Sequence, residues 1–156
     1  MFCANAQEGK LLLEVKGFPV RNGKIFKFEP KSTACCMTSQ DGVEIISKID
    51  SVFSNINGTV SFAGKIVDEF AVIIKTDKSL IISFSKLNLI NAKTGDLIKK
   101  GDFIGTIKLD EENLFTLGFM VINKKKDFFN EAKTIAFLKE NNIPFCSSNN
   151  NPIVAR

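Results

Sequence analysis

The sequence predicts a mainly β protein, an antiparallel β-sandwich or barrel-like sandwich, with one helix near the C-terminus. Short apolar segments follow one another closely and are separated by turns rich in Gly, Asn and Asp, which is typical of that class. A single later segment has apolar residues at helical spacing instead. The 156 residues are 44% hydrophobic, so the chain can bury a core of its own as one domain.

The first part of the chain is predicted to form strands joined by tight turns. Arg21-Asn22-Gly23 and Asn57-Gly58 carry the turn signals. The segment that follows Asn22 alternates apolar and charged side chains, as a half-buried strand does. The predicted strands of this part are 10–16, 23–29, 43–49, 52–53 and 59–63.

The second part begins with the clearest hairpin signal, two β-branched segments around the turn Thr76-Asp77-Lys78. Two Gly-Asp turns, one at Gly95-Asp96 and one at Gly101-Asp102, come before the last strands. The predicted strands here are 70–75, 79–84, 103–107 and 115–123.

Residues 127–141 are predicted to be the helix. Asp127 is the expected N-cap, and Pro144 lies just past the end. The apolar positions expected to face the sheet are Phe128, Ala132, Ile135 and Leu138. We expect residues 10–145 to form a single domain, with a disordered segment at 1–9 and a flexible tail at 146–156.

Two features of the chain leave alternatives open. Ala4-Asn5-Ala6 fits the site that signal peptidase cuts, so residues 1–9 are either the end of a signal peptide or a disordered polar segment. Four cysteines are present, at positions 3, 35, 36 and 146, without CxxC spacing. The sequence does not fix their disulfide state.

Composition excludes several classes of function. Because the chain has no histidine, it cannot use a Ser-His-Asp, Cys-His or histidine–metal mechanism. A net charge of +4 falls short of the basic footprint of a nucleic-acid-binding protein. No apolar run approaches the ~20 residues of a membrane span. With 15 Phe and neither Tyr nor Trp, the aromatic side chains are expected in the core.

Three stretches carry a resemblance to a known family. In their order and spacing they resemble the LytM, or lysostaphin-type, family of bacterial cell-wall zinc endopeptidases over about residues 17–123. The stretches are Gln40-Asp41-Gly42-Val43-Glu44-Ile45, Asn57-Gly58-Thr59-Val60 with Ala63-Gly64, and Gly95-Asp96-Leu97-Ile98-Lys99-Lys100-Gly101-Asp102-Phe103-Ile104-Gly105.

The family's metal-binding and catalytic positions are altered in this sequence. Its His-x-Gly-x-Asp motif, with His and Asp as zinc ligands, is matched by Gln40 and Glu44. Its Tyr-x-His-Leu motif, with a catalytic His, is matched to Ile82-Ser83-Phe84-Ser85, which places Phe84 at the histidine. Its closing His-x-His-Phe-Glu is matched by Thr116 and Gly118 at the two histidines. The resemblance therefore implies the fold without zinc, without another cofactor and without catalytic residues.

What the resemblance implies is a catalytically inactive protein of the bacterial envelope, periplasmic or secreted. It would bind peptidoglycan or a protein partner, such as a cell-wall hydrolase, and regulate or scaffold wall hydrolysis. Gln40, Glu44, Phe84, Thr116 and Gly118 would line the former active-site groove. Phe84 and Met120 would make that groove more apolar, or Phe84 and Phe119 would fill it as core.

The alternative is a lipoyl- or biotinyl-like carrier or adaptor domain, a barrel-sandwich hybrid. Such domains share the Gly-Asp turn, because both folds need the same tight turn. The interval between Gly58 and Gly95 holds a complete hairpin, which favours the LytM arrangement. No attachment lysine in a Met-Lys-Met-like setting is visible.

Overall fold

Ten antiparallel strands and one helix make up the computed structural model, which describes residues 11–15, 17, 19–27 and 41–142. The strands are β1 (Leu11–Val15), β2 (Gly23–Lys27), β3 (Val43–Ser47), β4 (Ser51–Phe53), β5 (Gly58–Ile66), β6 (Glu69–Lys75), β7 (Ile81–Ile90), β8 (Leu97–Ile98), β9 (Phe103–Ile107) and β10 (Phe115–Ile122); the helix is α1 (Glu131–Glu140). The predicted class, mainly antiparallel β with a C-terminal helix, is therefore confirmed.

The order of strands in the sheet brings distant parts of the chain together. It runs β1-β2-β3-β10-β7-β6-β5-β8, and β9 pairs with both β4 and β7. The early strand β3 consequently lies beside the last strand, β10, which in turn lies beside β7. These three neighbouring strands carry most of the positions singled out in the sequence.

The two Gly-Asp turns are built alike and explain why Asp occurs in both. Asp96 Oδ2 accepts the backbone N–H of Lys93 at 2.9 Å, and Asp102 Oδ2 accepts that of Lys99 at 2.8 Å. The first turn is tied to β5, because the Val60 N–H donates to the Asp96 carbonyl at 2.9 Å. Short polar side chains that bond their own backbone in this way fix tight turns without help from the core.

Phenylalanines from the sheet and the helix meet in the core. Phe84 of β7 and Phe119 of β10 are 0% and 1% exposed, and their rings contact edge to face at a centroid distance of 5.5 Å. Phe137 of α1 lies 6.3 Å from the Phe119 ring. Edge-to-face pairs add to the gain from apolar burial. The expected core role of the aromatic residues holds for these side chains.

The helix begins four residues later than predicted. Asn130, not Asp127, is the N-cap: its side chain accepts the Lys133 N–H at 2.9 Å. Asp127 instead lies in the turn after β10, where its N–H donates to Asn123 Oδ1 at 2.9 Å. The N-cap moves because residues 128 and 129 turn back and pair with β10 before the helix starts.

The later start also changes which side of the helix faces the sheet. Ile135 and Leu138 are buried as expected, together with Thr134 and Phe137. Phe128 and Ala132 are exposed, Phe128 by 50%. The apolar spacing predicts the buried face correctly at Ile135 and Leu138. It fails at Phe128, which lies outside the helix, and at Ala132 in the first helical turn.

Several predictions concern residues outside the described part of the chain. They are the segments 1–9 and 146–156, all four cysteines, Gln40, Pro144, both ends of the first predicted strand and the end of the second. Within the described residues, no helix is long and apolar enough to cross a bilayer.

Candidate functional site

A groove of about 800 Å³ lies beside the middle of the sheet, where β3, β10 and β7 are neighbours. The connection between β9 and β10 forms one wall. The lining residues are Ile25, Val43, Glu44, Ile46, Glu69, Lys86, Lys108, Leu109, Asp110, Glu111, Glu112, Leu114, Thr116 and Glu131.

Strand register brings three of the predicted site residues together. Gly118 of β10 lies opposite Glu44 of β3 on one side and opposite Ser85 of β7 on the other. Thr116 is two residues from Gly118 on the same strand, so it belongs to the same face. Glu44 and Thr116 both line the groove. Gln40 lies outside the described residues.

Gly42 fixes the way β3 enters the site. Its φ is +71°, and a Cβ there would lie 2.6 Å from the Phe119 carbonyl oxygen of β10. A side chain at this position would therefore meet both backbone strain and a direct clash. The glycine lets β3 start close against β10 and sets Glu44, two residues on, over the groove.

The Ser85 hydroxyl occupies the space beside Gly118. A Cβ added at position 118 would lie 2.2 Å from Ser85 Oγ, whereas Ser85 Cβ is 3.6 Å away. A side chain at position 118 would therefore require the Ser85 hydroxyl to rotate.

Lys86 is the main residue of this groove that the sequence did not point to. Its ammonium group forms an ion pair with Glu44 Oε2 across 42 positions of sequence. Lys86 has φ +63° and lies at a β-bulge between β7 and β6. Phe84 pairs with Val72 and Leu87 pairs with Phe70, so β7 has one residue more than β6 between these pairs. A bulge with a residue in the left-handed region re-aims side chains, and such features are concentrated at functional sites.

Asp110 anchors the wall formed by the β9–β10 connection. Its carboxylate accepts the Leu114 N–H at 2.9 Å, the Thr116 hydroxyl at 2.9 Å and the Glu112 N–H at 2.8 Å. These bonds, of which that from Leu114 has the largest effect, lower the pKa of Asp110 below its ordinary value of 3.8, although desolvation opposes them. Thr116 thereby gives its one hydroxyl proton to Asp110.

Phe84 does not line the groove, and this corrects the expectation. It is fully buried and faces the core, because residues alternate along β7 and Phe84 shares its face with Ile82. The Tyr-x-His-Leu motif fits better two residues further on, at Phe84-Ser85-Lys86-Leu87. That placement matches both the aromatic residue and the leucine, and it puts Lys86 at the histidine. The leucine was the signal that could have found Lys86.

The groove is open and is lined by charged as well as apolar side chains, so it is neither purely apolar nor filled. Phe84 and Phe119 are core, yet a groove remains beside the other face of their strands. Met120 is absent from its lining, whereas carboxylates and two lysines are present.

The residues of this site do not fit a zinc ion. Glu44 is a ligating carboxylate, but it is bound to Lys86, whose positive charge repels a metal cation. Gly118 offers no donor atom, and the Thr116 hydroxyl is given to Asp110. Zinc in proteins requires three or four N, S or O ligands, chiefly His, Cys and carboxylate. No group of three such side chains is arranged for a metal within the described part of the chain.

Comparisons with known proteins identify the fold. No protein-family model matches the sequence, and no curated protein matches it. Among solved structures, the solution structure of lysostaphin superimposes with a TM-score of 0.63 at 17% identity, over 92% of this chain and 61% of that one. A putative glycyl-glycine endopeptidase LytM from Ruminococcus gnavus gives 0.55 at 17% identity, over 86% of this chain and 64% of that one.

A third similar structure is that of the SpoIIIAH–SpoIIQ complex, with a TM-score of 0.54 at 18% identity, over 79% of this chain and 90% of that one. The chain thus spans less than two thirds of the lysostaphin and R. gnavus chains. At these identities the similarity establishes the fold, which is that of LytM and lysostaphin.

Proposed function

We propose that this chain, which has the LytM or lysostaphin-type fold, is a catalytically inactive binding module of the bacterial cell envelope. It would bind peptidoglycan or a protein partner and regulate or scaffold the hydrolysis of the wall. A periplasmic or secreted location belongs to the same proposal.

The ion pair between Lys86 and Glu44 carries the proposal. The Glu44 carboxylate, which could otherwise bind a metal, is paired with the Lys86 ammonium group, and the groove around this pair is open. In a zinc hydrolase the metal lowers the pKa of bound water and polarises the scissile carbonyl. An ammonium group fixed on a carboxylate does neither, so an open groove at this place is suited to binding rather than to hydrolysis.

The occurrence of this fold in a protein assembly supports the binding role. One of the similar structures is a complex of SpoIIQ with SpoIIIAH. Another is described as a pore-forming complex of the same two proteins. A protein partner is therefore a fitting occupant for this chain as well.

Metal content and wall binding, measured on one native preparation, test the proposal. We expect zinc far below one ion per chain, no cleavage of purified peptidoglycan, and either sedimentation with the insoluble wall or co-purification with a wall hydrolase. A lysostaphin-type enzyme with intact ligands, purified in parallel, is the positive control for metal and cleavage. Stoichiometric zinc with cleavage would refute inactivity, and the absence of any binding would refute the module.

A further inference from the structure

We propose that the groove between β3, β10 and the β9–β10 connection binds a cationic, partly apolar segment of a protein partner. This inference rests on the proposed binding function and names the chemistry of the ligand. It rests on the charge of the groove, on the carboxylates that have no ion-pair partner there, and on the apolar side chains in its lining.

The groove and the molecule have opposite charge. Its described lining includes six carboxylates and two ammonium groups, a net charge of −4, whereas the whole chain carries +4. Three of the acidic groups come from the β9–β10 connection, and one each comes from β3, β6 and α1. A concave surface lined by one sign of charge focuses its field on the ligand that enters it.

Three of these carboxylates are not neutralised within the described structure. Glu44 is paired with Lys86, and Asp110 is satisfied by hydrogen bonds. Glu69, Glu111 and Glu112 form no ion pair with the described residues. Complementary charge fixes the orientation and rate of association, so these three groups are the expected partners of lysine or arginine side chains.

Apolar side chains also line the groove. Ile46 and Leu114 are half-buried there, and Leu109 is 48% exposed at the wall. A ligand with cationic and apolar side chains would bury this surface and meet the acidic rim at the same time. A simple cation would leave these apolar side chains exposed. The expected ligand is therefore a polypeptide segment.

Binding of synthetic peptides to the full chain tests this inference. The probes are short lysine–leucine, glutamate–leucine and serine–leucine peptides of equal length, measured by fluorescence anisotropy. We expect binding of the lysine peptide, much weaker binding of the other two, and a loss of affinity as salt is raised.

Charge reversal in the groove gives the decisive comparison. Glu111→Lys with Glu112→Lys should weaken binding of the lysine peptide by about tenfold or more, because like charges then face it. The matched control, Asp77→Lys with Glu140→Lys, makes the same change of charge at exposed positions outside the groove and should change affinity by about twofold or less. Lys108→Glu should strengthen binding.

Several outcomes would overturn the inference. They are equal losses in the two double variants, equal binding of the glutamate peptide, or no binding of the lysine peptide by a folded wild-type chain. A different ligand is indicated if the wild type sediments with peptidoglycan but does not bind the lysine peptide, and if the Glu111→Lys, Glu112→Lys variant no longer sediments with peptidoglycan. The groove then binds a glycan-peptide strand instead. In that case the proposed function stands and this inference fails, whereas stoichiometric zinc with wall cleavage would refute the proposed function.

Discussion

Neighbouring residues on β7 have opposite roles. Phe84 is fully buried against Phe119, whereas the Lys86 side chain is 38% exposed and holds Glu44. The bulge between them breaks the alternation of the strand, so a count of two residues no longer predicts the same face. Whether Phe84 or Lys86 is matched to the histidine of the Tyr-x-His-Leu motif therefore decides whether that position lies in the core or in the groove.

Substitutions should distinguish Phe84, a core residue, from Lys86, a partly exposed residue of the groove. Phe84→Ala should lower the free energy of unfolding by about 3–5 kcal/mol, because it removes a buried ring and leaves a cavity. Lys86→Met should change it by no more than about 1 kcal/mol, since exposed ion pairs contribute little. Urea unfolding followed by circular dichroism measures both. A mild effect of Phe84→Ala would mean that Phe84 is not a core residue.

The Asp110 carboxylate holds the β9–β10 connection through three hydrogen bonds. Because its folded-state pKa is lowered, the carboxylate stabilises the fold above the ordinary value of 3.8. That stabilisation is lost as the pH falls below 3.8 and through the lowered folded-state pKa.

The pH dependence of Asp110→Asn tests this anchor. The variant should be less stable than the wild type at pH 7, and the difference should shrink in urea titrations below pH 3.8. Asp68→Asn is the control. Asp68 is exposed in the β5–β6 turn, and its carboxylate accepts no hydrogen bond from the described residues. A difference for Asp110→Asn that stays constant with pH would contradict the role of its charge.

The helix α1 depends on its cap at Asn130. Asn130→Ala should cost about 1 kcal/mol of stability, because the Lys133 N–H loses its acceptor. Asp127→Ala should cost less, as the Asp127 side chain does not cap the helix. Thermal unfolding of the two variants checks this order, and the reverse order would restore Asp127 as the cap.

Element by element, the sequence predicted strands better than helix boundaries. The strand after the second Gly-Asp turn and the two strands of the hairpin at Thr76 were predicted, because alternation and turn residues are local signals. The predicted strand ending at residue 84 continues to Ile90, since Ser85 and Lys86 interrupt its apolar pattern. The two-residue β8 was not predicted, because it exists only through pairing with β5.

At the scale of the whole molecule, the sequence by itself determined the mainly β fold class and excluded histidine as a ligand. The class follows from the Gly-Asp turns and the alternating strands, and the exclusion follows from the absence of histidine. Such signals are local, so they do not require knowledge of which strands are neighbours.

Only the tertiary structure decided what the remaining groove is. Glu44 meets Lys86 from 42 positions away, and Glu69, Glu112 and Glu131 reach the groove from three further elements or connections. The bulge in β7 and the strand order decide which side chains share that face. Charge in a cleft is the sum over groups that are distant in sequence, and no local pattern encodes that sum.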